Sequence, residues 1–142
     1  MTAALERSNR RRWGHRGYIA SRPLRGMEAP QHVQNLVIRD FAQRNDLHFK
    51  LSATEYSMPG CYMMLNAVLD ELPEMEGVIC YSMFMLPERS EQRREVYRRV
   101  LDEGGSLHAA LESMSLIREA DIGRFEDVLT VSEFVPTQTA RL

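Results

Sequence analysis

Side chains that can bind anions or transfer protons follow the short apolar runs of this sequence. In chain order, the side chains that follow the four runs are Ser21, Arg22 and Arg25; Ser52, Glu55 and Tyr56; Ser82; and Glu112. Guanidinium groups bind phosphate through charge-assisted hydrogen bonds, while carboxylates and phenols transfer protons. Together these groups suit a site for a phosphorylated substrate, although each one alone also suits a turn or a helix cap.

The apolar runs alternate with amphipathic segments. We predict strands at 17–21, 47–51, 77–81 and 107–111, and helices at 30–44, 61–72, 88–103 and 122–131. The composition of 107–111 also suits a helix. Strands that alternate with helices predict an α/β fold, here a three-layer sandwich with a mainly parallel, flavodoxin-like sheet of four or five strands.

The carboxyl ends of parallel strands meet at one edge of the sheet, and ligands bind outside those ends. We therefore expect the polar side chains to converge there, joined by Gln34 and Arg39 from the first helix. The candidate catalytic residues are Ser21, Glu55, Tyr56 and Glu112. The candidate substrate-binding residues are Arg22, Arg25, Gln34, Arg39, Ser52 and Ser82.

Length and composition predict one ordinary domain. The chain has 142 residues, 44% of them hydrophobic and 27% charged, with a net charge of -2. We assign 1–15 to a flexible basic arm, 16–135 to a single α/β domain and 136–142 to a loose tail. We expect a cytoplasmic protein, because the sequence shows no apolar run long enough for a membrane span and no secretion signal.

Cysteine and histidine residues give no sign of a metal centre. We expect Cys61 and Cys80 to be free thiols, Cys80 in the core and Cys61 either buried or activated at a helix start. The four histidines lack metal-ligand spacing, and no phosphate-binding glycine loop or nucleophile elbow occurs. We predict neither a metal nor a cofactor.

Several consecutive segments resemble a small bacterial family, the sporadic carbohydrate cluster proteins. The matching segments are GYIASRPLRG, PQHVQNLVIRDF, LSATEYSMPGCYMMLNAVLDEL, GVICYSMFMLPE and the ALE around Glu112. They extend over about 16–131. Members of this family occur in gene clusters for surface polysaccharides or sugar-containing metabolites. The resemblance therefore implies a role in carbohydrate or nucleoside-sugar biosynthesis.

A looser resemblance is to the catalytic domain of serine recombinases of the resolvase type. In both, a strand ends in a serine next to an arginine and is followed by a helix that carries a glutamine. The segment 81–87 stands where those enzymes have Leu-Asp-Arg-Leu, and its acidic and arginine pair is absent here. This resemblance implies the same fold and a rim that binds phosphate.

We therefore predict an enzyme that acts on a phosphorylated or nucleotide-activated sugar by epimerisation, isomerisation or elimination. Arg22, with Arg25 or Arg39, would hold phosphate, the carboxylates or Tyr56 would transfer protons, and Ser21 and Ser82 would orient hydroxyls. One alternative is a nucleic-acid-binding module derived from a serine recombinase; another is a non-catalytic partner of a biosynthetic enzyme. We expect a homo-oligomer with neither membrane nor nucleic acid as a partner.

Overall fold

The computed structural model of this chain describes residues 14–24 and 28–134, with side chains as far as residue 131. Arg25, the C-terminal tail and most of the basic arm lie outside the described residues. Of the segment that we assigned to the arm, Gly14 and His15 are described, and His15 begins the first strand.

The strands and helices alternate as expected. In chain order they are β1 His15–Ala20, α1 Gln31–Arg44, β2 Phe49–Glu55, α2 Met63–Asp70, β3 Gly77–Cys80, α3 Ser90–Asp102, β4 Ser106–Ala109, β5 Met114–Leu116 and α4 Ile122–Phe134. Short 3-10 turns occur at 72–74, 83–85 and 119–121. The helix expected at 61–72 is shorter in the structure. It ends at Asp70, and the turn at 72–74 follows it.

The five strands form one sheet in the order β2-β1-β3-β4-β5. Neighbouring strands are parallel except for β5, which is antiparallel to β4. This arrangement confirms the predicted three-layer α/β fold with a mainly parallel sheet. The antiparallel β5 went unpredicted because three residues are too few for a hydrophobic pattern.

The two central strands are buried on both faces of the sheet. Tyr18 and Ile19 are adjacent in β1 and point to opposite faces, yet both are almost fully buried. On one face Ile19 packs with Ile38 and Phe41 of α1. On the other, Tyr18 belongs to the larger core cluster, which includes residues of α2, α3 and α4. A strand buried on both faces has a continuous apolar run, which is why β1 and β3 were predictable.

The second strand begins two residues later than predicted and extends four residues further. The pairing with β1 shifts register within this strand, because His15 pairs with Phe49 but Gly17 pairs with Ser52, and it continues to Ala20 and Glu55. The contact requires a glycine, since a Cβ on Gly17 would lie 2.1 Å from Ser52 Oγ. The alternation of apolar and polar residues at 47–51 was therefore a misleading local pattern.

A buried ion pair fastens α3 to α4. Arg93 donates from Nε to Glu126 Oε2 at 2.8 Å and from Nη2 to Oε1 at 2.9 Å. The hydroxyls of Tyr97 and Ser90 donate to the same carboxylate at 2.6 and 2.7 Å. Burial alone would raise the pKa of Glu126, but the hydrogen bonds from Arg93, Tyr97 and Ser90 lower it to about 2.

Two buried histidines lie toward the amino ends of the strands. Ser115 Oγ lies 2.7 Å from His108 Nδ1, and His108 Nε2 lies 2.8 Å from Ser106 Oγ. Ser106 Oγ is in turn 3.5 Å from His15 Nε2, while His15 Nδ1 lies 3.2 Å from the carbonyl of His48. When both rings are neutral, one ordering of protons from Ser115 to His48 satisfies every ring nitrogen.

Among the residues that the structure describes, no helix is both long and apolar enough to cross a membrane.

Candidate functional site

The strand order reverses at β1, which leads to β2 on one side and lies beside β3 on the other. In open sheets of this order, ligands bind in the crevice outside the carboxyl ends at such a reversal. Ser21 and Arg22 follow β1, and Tyr81 and Ser82 follow β3. The fold therefore places Ser21, Arg22, Tyr81 and Ser82 beside the crevice in which sheets of this order bind ligands.

A cleft of about 210 Å³ lies at this point. Its polar lining consists of Arg22, Glu28, Gln34, Ser82 and Glu112. Its apolar lining consists of Leu24, Ala29, Tyr81, Phe84 and Leu111. An apolar wall with a few convergent polar groups is typical of small-molecule sites.

Arg22 lines this cleft and the two depressions beside it, which measure about 350 and 480 Å³. The side chain is half-buried, and its Nη1 donates to the carbonyl of Met58 at 2.8 Å. Its Cζ lies 5.7 Å from the centre of the Tyr62 ring, within range of a cation–π interaction. Arg22 thus brings one positive charge to the meeting point of three concave surfaces.

Glu112 faces the same cleft from the turn after β4. Its Oε2 accepts a hydrogen bond from Ser82 Oγ at 2.7 Å, and its Oε1 accepts one from the Met83 amide at 2.9 Å. Ser82 is buried and also accepts from the Phe84 amide at 3.2 Å. The turn after β3 therefore fixes the direction of the Glu112 carboxylate, which is half-buried and keeps further lone pairs.

The carboxylate of Glu55 is surrounded by donors from its own chain. Oε1 accepts from the Tyr18 hydroxyl at 2.7 Å and the Leu65 amide at 3.0 Å, and Oε2 accepts from the amides of Met64 and Tyr56 at 3.0 and 3.1 Å. Burial alone would raise the pKa of Glu55, but the bonds from Met64, Tyr18 and Leu65 outweigh it and lower the pKa. Glu55 therefore caps the amino terminus of α2.

We expect Glu55→Gln to lower the free energy of unfolding by about 2 kcal/mol, because an amide offers one acceptor oxygen to several buried donors. Urea unfolding followed by circular dichroism measures the change. The matched control is Glu91→Gln, which neutralises an exposed glutamate paired with Arg89. Equal stability of the two variants would contradict the role given to Glu55.

Two other predicted site residues lie at the rim but bond to the main chain. Gln34 is buried, and its amide accepts from the Ala20 N–H at 2.9 Å and donates to the Ala20 carbonyl at 2.8 Å. It also donates to the carbonyl of Ala29 at 2.8 Å. Ser21 is exposed, and its hydroxyl donates to the carbonyl of Glu55 at 2.7 Å. Gln34 thus holds α1 against the end of β1.

Three predicted residues are not brought into the cleft. Ser52 lies within β2, which continues to Glu55, and its hydroxyl donates to Asn35 Oδ1 at 2.5 Å. Arg39 packs over the ring of Phe49, at the amino end of β2, away from the rim. Tyr56 is 50% exposed and lines none of the three concave surfaces. Their proposed contacts with substrate remain untested predictions.

The cleft also contains residues that the sequence did not identify as candidates. Tyr81 was assigned to the third strand, but β3 ends at Cys80 and Tyr81 lines the cleft. Phe84 follows the third predicted strand, so a rule that counted apolar turn residues would have found it. Leu111 was placed in the strand predicted at 107–111, but β4 ends at Ala109. Glu28 lies two residues before Pro30, just ahead of α1. It does not follow a strand, so the rule about strand ends does not select it.

The thiols and the titratable groups add no metal centre. Within 14–24 and 28–134, no group of three or more histidine, cysteine, aspartate or glutamate side chains is arranged to hold a metal ion. Cys80 is buried, as expected. Cys61 is half-buried, two residues before α2, with its Sγ 3.8 Å from Glu55 Oε2.

Similar solved structures come from serine recombinases. A resolvase family site-specific recombinase from Streptococcus pneumoniae matches with a TM-score of 0.61 at 13% identity, covering 89% of this chain and 94% of that one. The N-terminal catalytic domain of TP901-1 integrase matches with a TM-score of 0.57 at 12% identity, covering 84% and 95%. No protein-family model matches the sequence, and no curated protein matches it significantly.

These matches extend over most of both chains, but their sequence identity is low. They bear out the predicted similarity to the recombinase catalytic domain at the level of the fold, while the resemblance to the carbohydrate cluster family finds no counterpart among them. Because fold alone does not determine function, function has to be argued from the cleft. This chain has the fold of a resolvase-type catalytic domain.

Proposed function

We propose that this chain is an enzyme that acts on a phosphorylated or nucleotide-activated sugar by acid–base chemistry at the cleft between the ends of β1 and β3. The observation that carries the proposal is that Arg22 and Glu112 line this one cleft. A guanidinium binds a phosphate group, and an oriented carboxylate accepts and returns a proton.

The roles follow from the contacts of each side chain. Arg22 binds the anionic group, since its guanidinium has donors beyond the one used by Met58. Glu112 is the proton-transferring group, and Ser82 positions it. Ser21 lies in the depression beside the cleft and can orient a hydroxyl. Glu55 is assigned to the support of α2 instead of to proton transfer.

Two features support a sugar as the substrate. The first is the resemblance to a family encoded in carbohydrate gene clusters. The second is the apolar wall formed by Tyr81, Phe84 and Leu111. The C–H face of a sugar ring can pack on such a wall while its hydroxyls reach a carboxylate.

The proposal predicts solvent-deuterium incorporation into the substrate. Glu112 takes a proton from a carbon next to a carbonyl group, the electron pair of the C–H bond stays on the substrate, and the proton returns from Glu112 after exchange with solvent. In D2O, proton NMR of sugar phosphates incubated with the protein should show loss of one C–H signal. We expect Glu112→Gln to slow this loss by about 10²–10⁴-fold.

The control for this experiment is again Glu91→Gln, which removes an equal charge from the exposed surface of α3. It should exchange the proton at the rate of the unmodified protein. If Glu112→Gln exchanges the same proton equally fast, Glu112 is not the base and the proposed mechanism fails.

The second candidate function is a nucleic-acid-binding module, favoured by the two recombinase structures that share the fold. The arginines of α3, however, are largely engaged. Arg93 is buried against Glu126, Arg98 pairs with Glu95, and Arg99 pairs with Asp70. Such a mixed-charge surface is a poor match for a polyanion.

Binding to duplex DNA across a salt series separates the two functions. A nucleic-acid module should bind with an affinity that falls steeply as salt rises, because phosphate contacts release counterions. The enzyme proposed above should show no such binding at low salt. Salt-dependent binding together with no exchange of substrate protons would favour the second candidate.

A further inference from the structure

We infer that the cleft takes the monophosphate of a single sugar and discriminates against a nucleotide diphosphate sugar. The inference rests on the proposed function and narrows its substrate class. Three observations carry it: the size of the cleft, the signs of the charges that line it, and the fixed direction of the Glu112 carboxylate.

The cleft is small for a nucleotide sugar. Pockets that enclose drug-sized ligands measure roughly 300–1,000 Å³, whereas this one measures about 210 Å³. That is enough for one sugar ring, whereas the base and ribose of a nucleotide sugar would have to extend into the two depressions beside it, whose linings include Glu28 and Glu88.

The charges that line the cleft have both signs. Arg22 is accompanied by Glu28 and Glu112 in the lining of the same 210 Å³. One phosphate group can lie against the guanidinium while the hydroxyls of the ring face the carboxylates. A diphosphate would bring a second anionic group close to carboxylates that repel it. The glutamates therefore favour a ligand with few negative charges and many hydrogen-bond donors.

The position of Glu112 determines the orientation of the ligand, with its hydroxyls toward Glu112 and its phosphate toward Arg22. The Ser82 hydroxyl donates to its Oε2 at 2.7 Å and the Met83 amide to its Oε1 at 2.9 Å, so each oxygen has one donor. The remaining lone pairs can accept from two neighbouring hydroxyls, and a carboxylate accepts two such bonds at once. Arg22, two residues after the end of β1, then receives the phosphate end.

The test compares matched pairs of ligands. The 6-phosphates of glucose, galactose and mannose, whose open-chain forms contain the carbonyl group that the proposed proton transfer needs, are titrated into the full chain beside the nucleotide diphosphate derivatives of the same sugars, with inorganic phosphate as a reference. Binding is followed by isothermal titration calorimetry. We expect one of the monophosphates to bind at least tenfold more tightly than its nucleotide counterpart and than phosphate alone.

Variants of the cleft test how that ligand is held. Arg22→Gln and Glu112→Gln should each weaken monophosphate binding about tenfold or more, as expected for the loss of a charge-assisted hydrogen bond. Arg89→Gln and Glu91→Gln, an exposed ion pair, are the charge-matched controls and should bind normally. Circular dichroism checks that each variant is folded.

The outcomes separate this inference from the proposed function. If a nucleotide sugar binds as tightly as its monophosphate, the inference is overturned and a sugar-binding cleft still stands. If inorganic phosphate binds as tightly as every sugar phosphate, the sugar subsite on Glu112 is overturned. If no ligand binds, and deuterium exchange is also absent, both the inference and the proposed function fail.

Discussion

Glu126→Gln should lower the free energy of unfolding by about 3–5 kcal/mol, the range for breaking a buried ion pair by removing one partner. Arg93 is almost fully buried, and two of its bonds go to the Glu126 carboxylate. A glutamine would offer Arg93 one neutral amide oxygen, so the guanidinium would be left with neutral partners alone, that oxygen and the carbonyls of Pro87 and Glu88. A buried cation without a counterion is costly, since burial disfavours the charged form.

Urea unfolding at pH 7, followed by circular dichroism, measures this effect. Glu95→Gln is the matched control, because Glu95 pairs with Arg98 on the exposed face of α3. Exposed pairs contribute roughly 0–1 kcal/mol, so the control should be nearly neutral. A loss below 1 kcal/mol for Glu126→Gln would show that water reaches Arg93 and that the pair does not fasten α3 to α4.

The second large effect is a loss of stability between pH 6.5 and pH 4. Burial first, and then the neighbouring charge of His15, lower the pKa of His108 from 6.5 to about 4. A group whose pKa is lower in the folded state stabilises the fold above its unfolded pKa. That stabilisation is lost as the pH falls toward the folded pKa. The difference corresponds to about 3 kcal/mol.

The groups around His108 explain why protonation is unfavourable. It contacts the rings of His15 and Phe41, and its nitrogens face the hydroxyls of Ser106 and Ser115. Burial also lowers the pKa of His15, although its bond to the His48 carbonyl and the nearby Glu76 act in the opposite direction. A proton on either ring disturbs the ordered chain of donors from Ser115 to His48.

Unfolding free energies measured at several pH values between 7 and 5 test this prediction, in a window above the range in which Glu126 is protonated. His108→Gln should flatten the curve in that window, and His32→Gln, at an exposed position, should not. NMR of the histidine rings gives a second readout. A titration of His108 near pH 6.5 would contradict the prediction.

Part of the candidate site was predictable from chain order. Arg22, Ser82 and Glu112 each follow a strand, and parallel strands bring their carboxyl ends together. Those residues do line one cleft. The prediction required only the number and direction of the strands, which the buried apolar runs indicate well.

Other parts depend on tertiary contacts that no local pattern reports. Ser52 was expected at the rim, but it pairs with Gly17 inside β2, which continues to Glu55. Gln34 was expected to face a ligand, yet its amide is used by the main chain of Ala20. A polar residue on a helix looks the same in a sequence whether it binds a ligand or a neighbouring strand. Only the packing of the helix against the strand distinguishes these two cases.

The role of Glu55 was the hardest to predict from the sequence, because its carboxylate accepts hydrogen bonds from groups of both β1 and α2. Tyr18 belongs to β1, and Met64 and Leu65 begin α2. The sequence shows a carboxylate after a strand, which is equally the pattern of a catalytic base. Its bonds can be identified only when the turn from β2 to α2 is known.

The occupied amino terminus of α2 also bears on how a ligand can enter. A helix start normally attracts anions, and Glu55 occupies this one with a negative charge of the chain itself. This helix start is therefore already used by the chain, and Arg22 is the positive group that lines the cleft. A ligand with a phosphate at one end and hydroxyls at the other then has a single favourable orientation. In the enzyme that we propose, such polarity would favour the stereoisomer that presents its hydroxyls to Glu112.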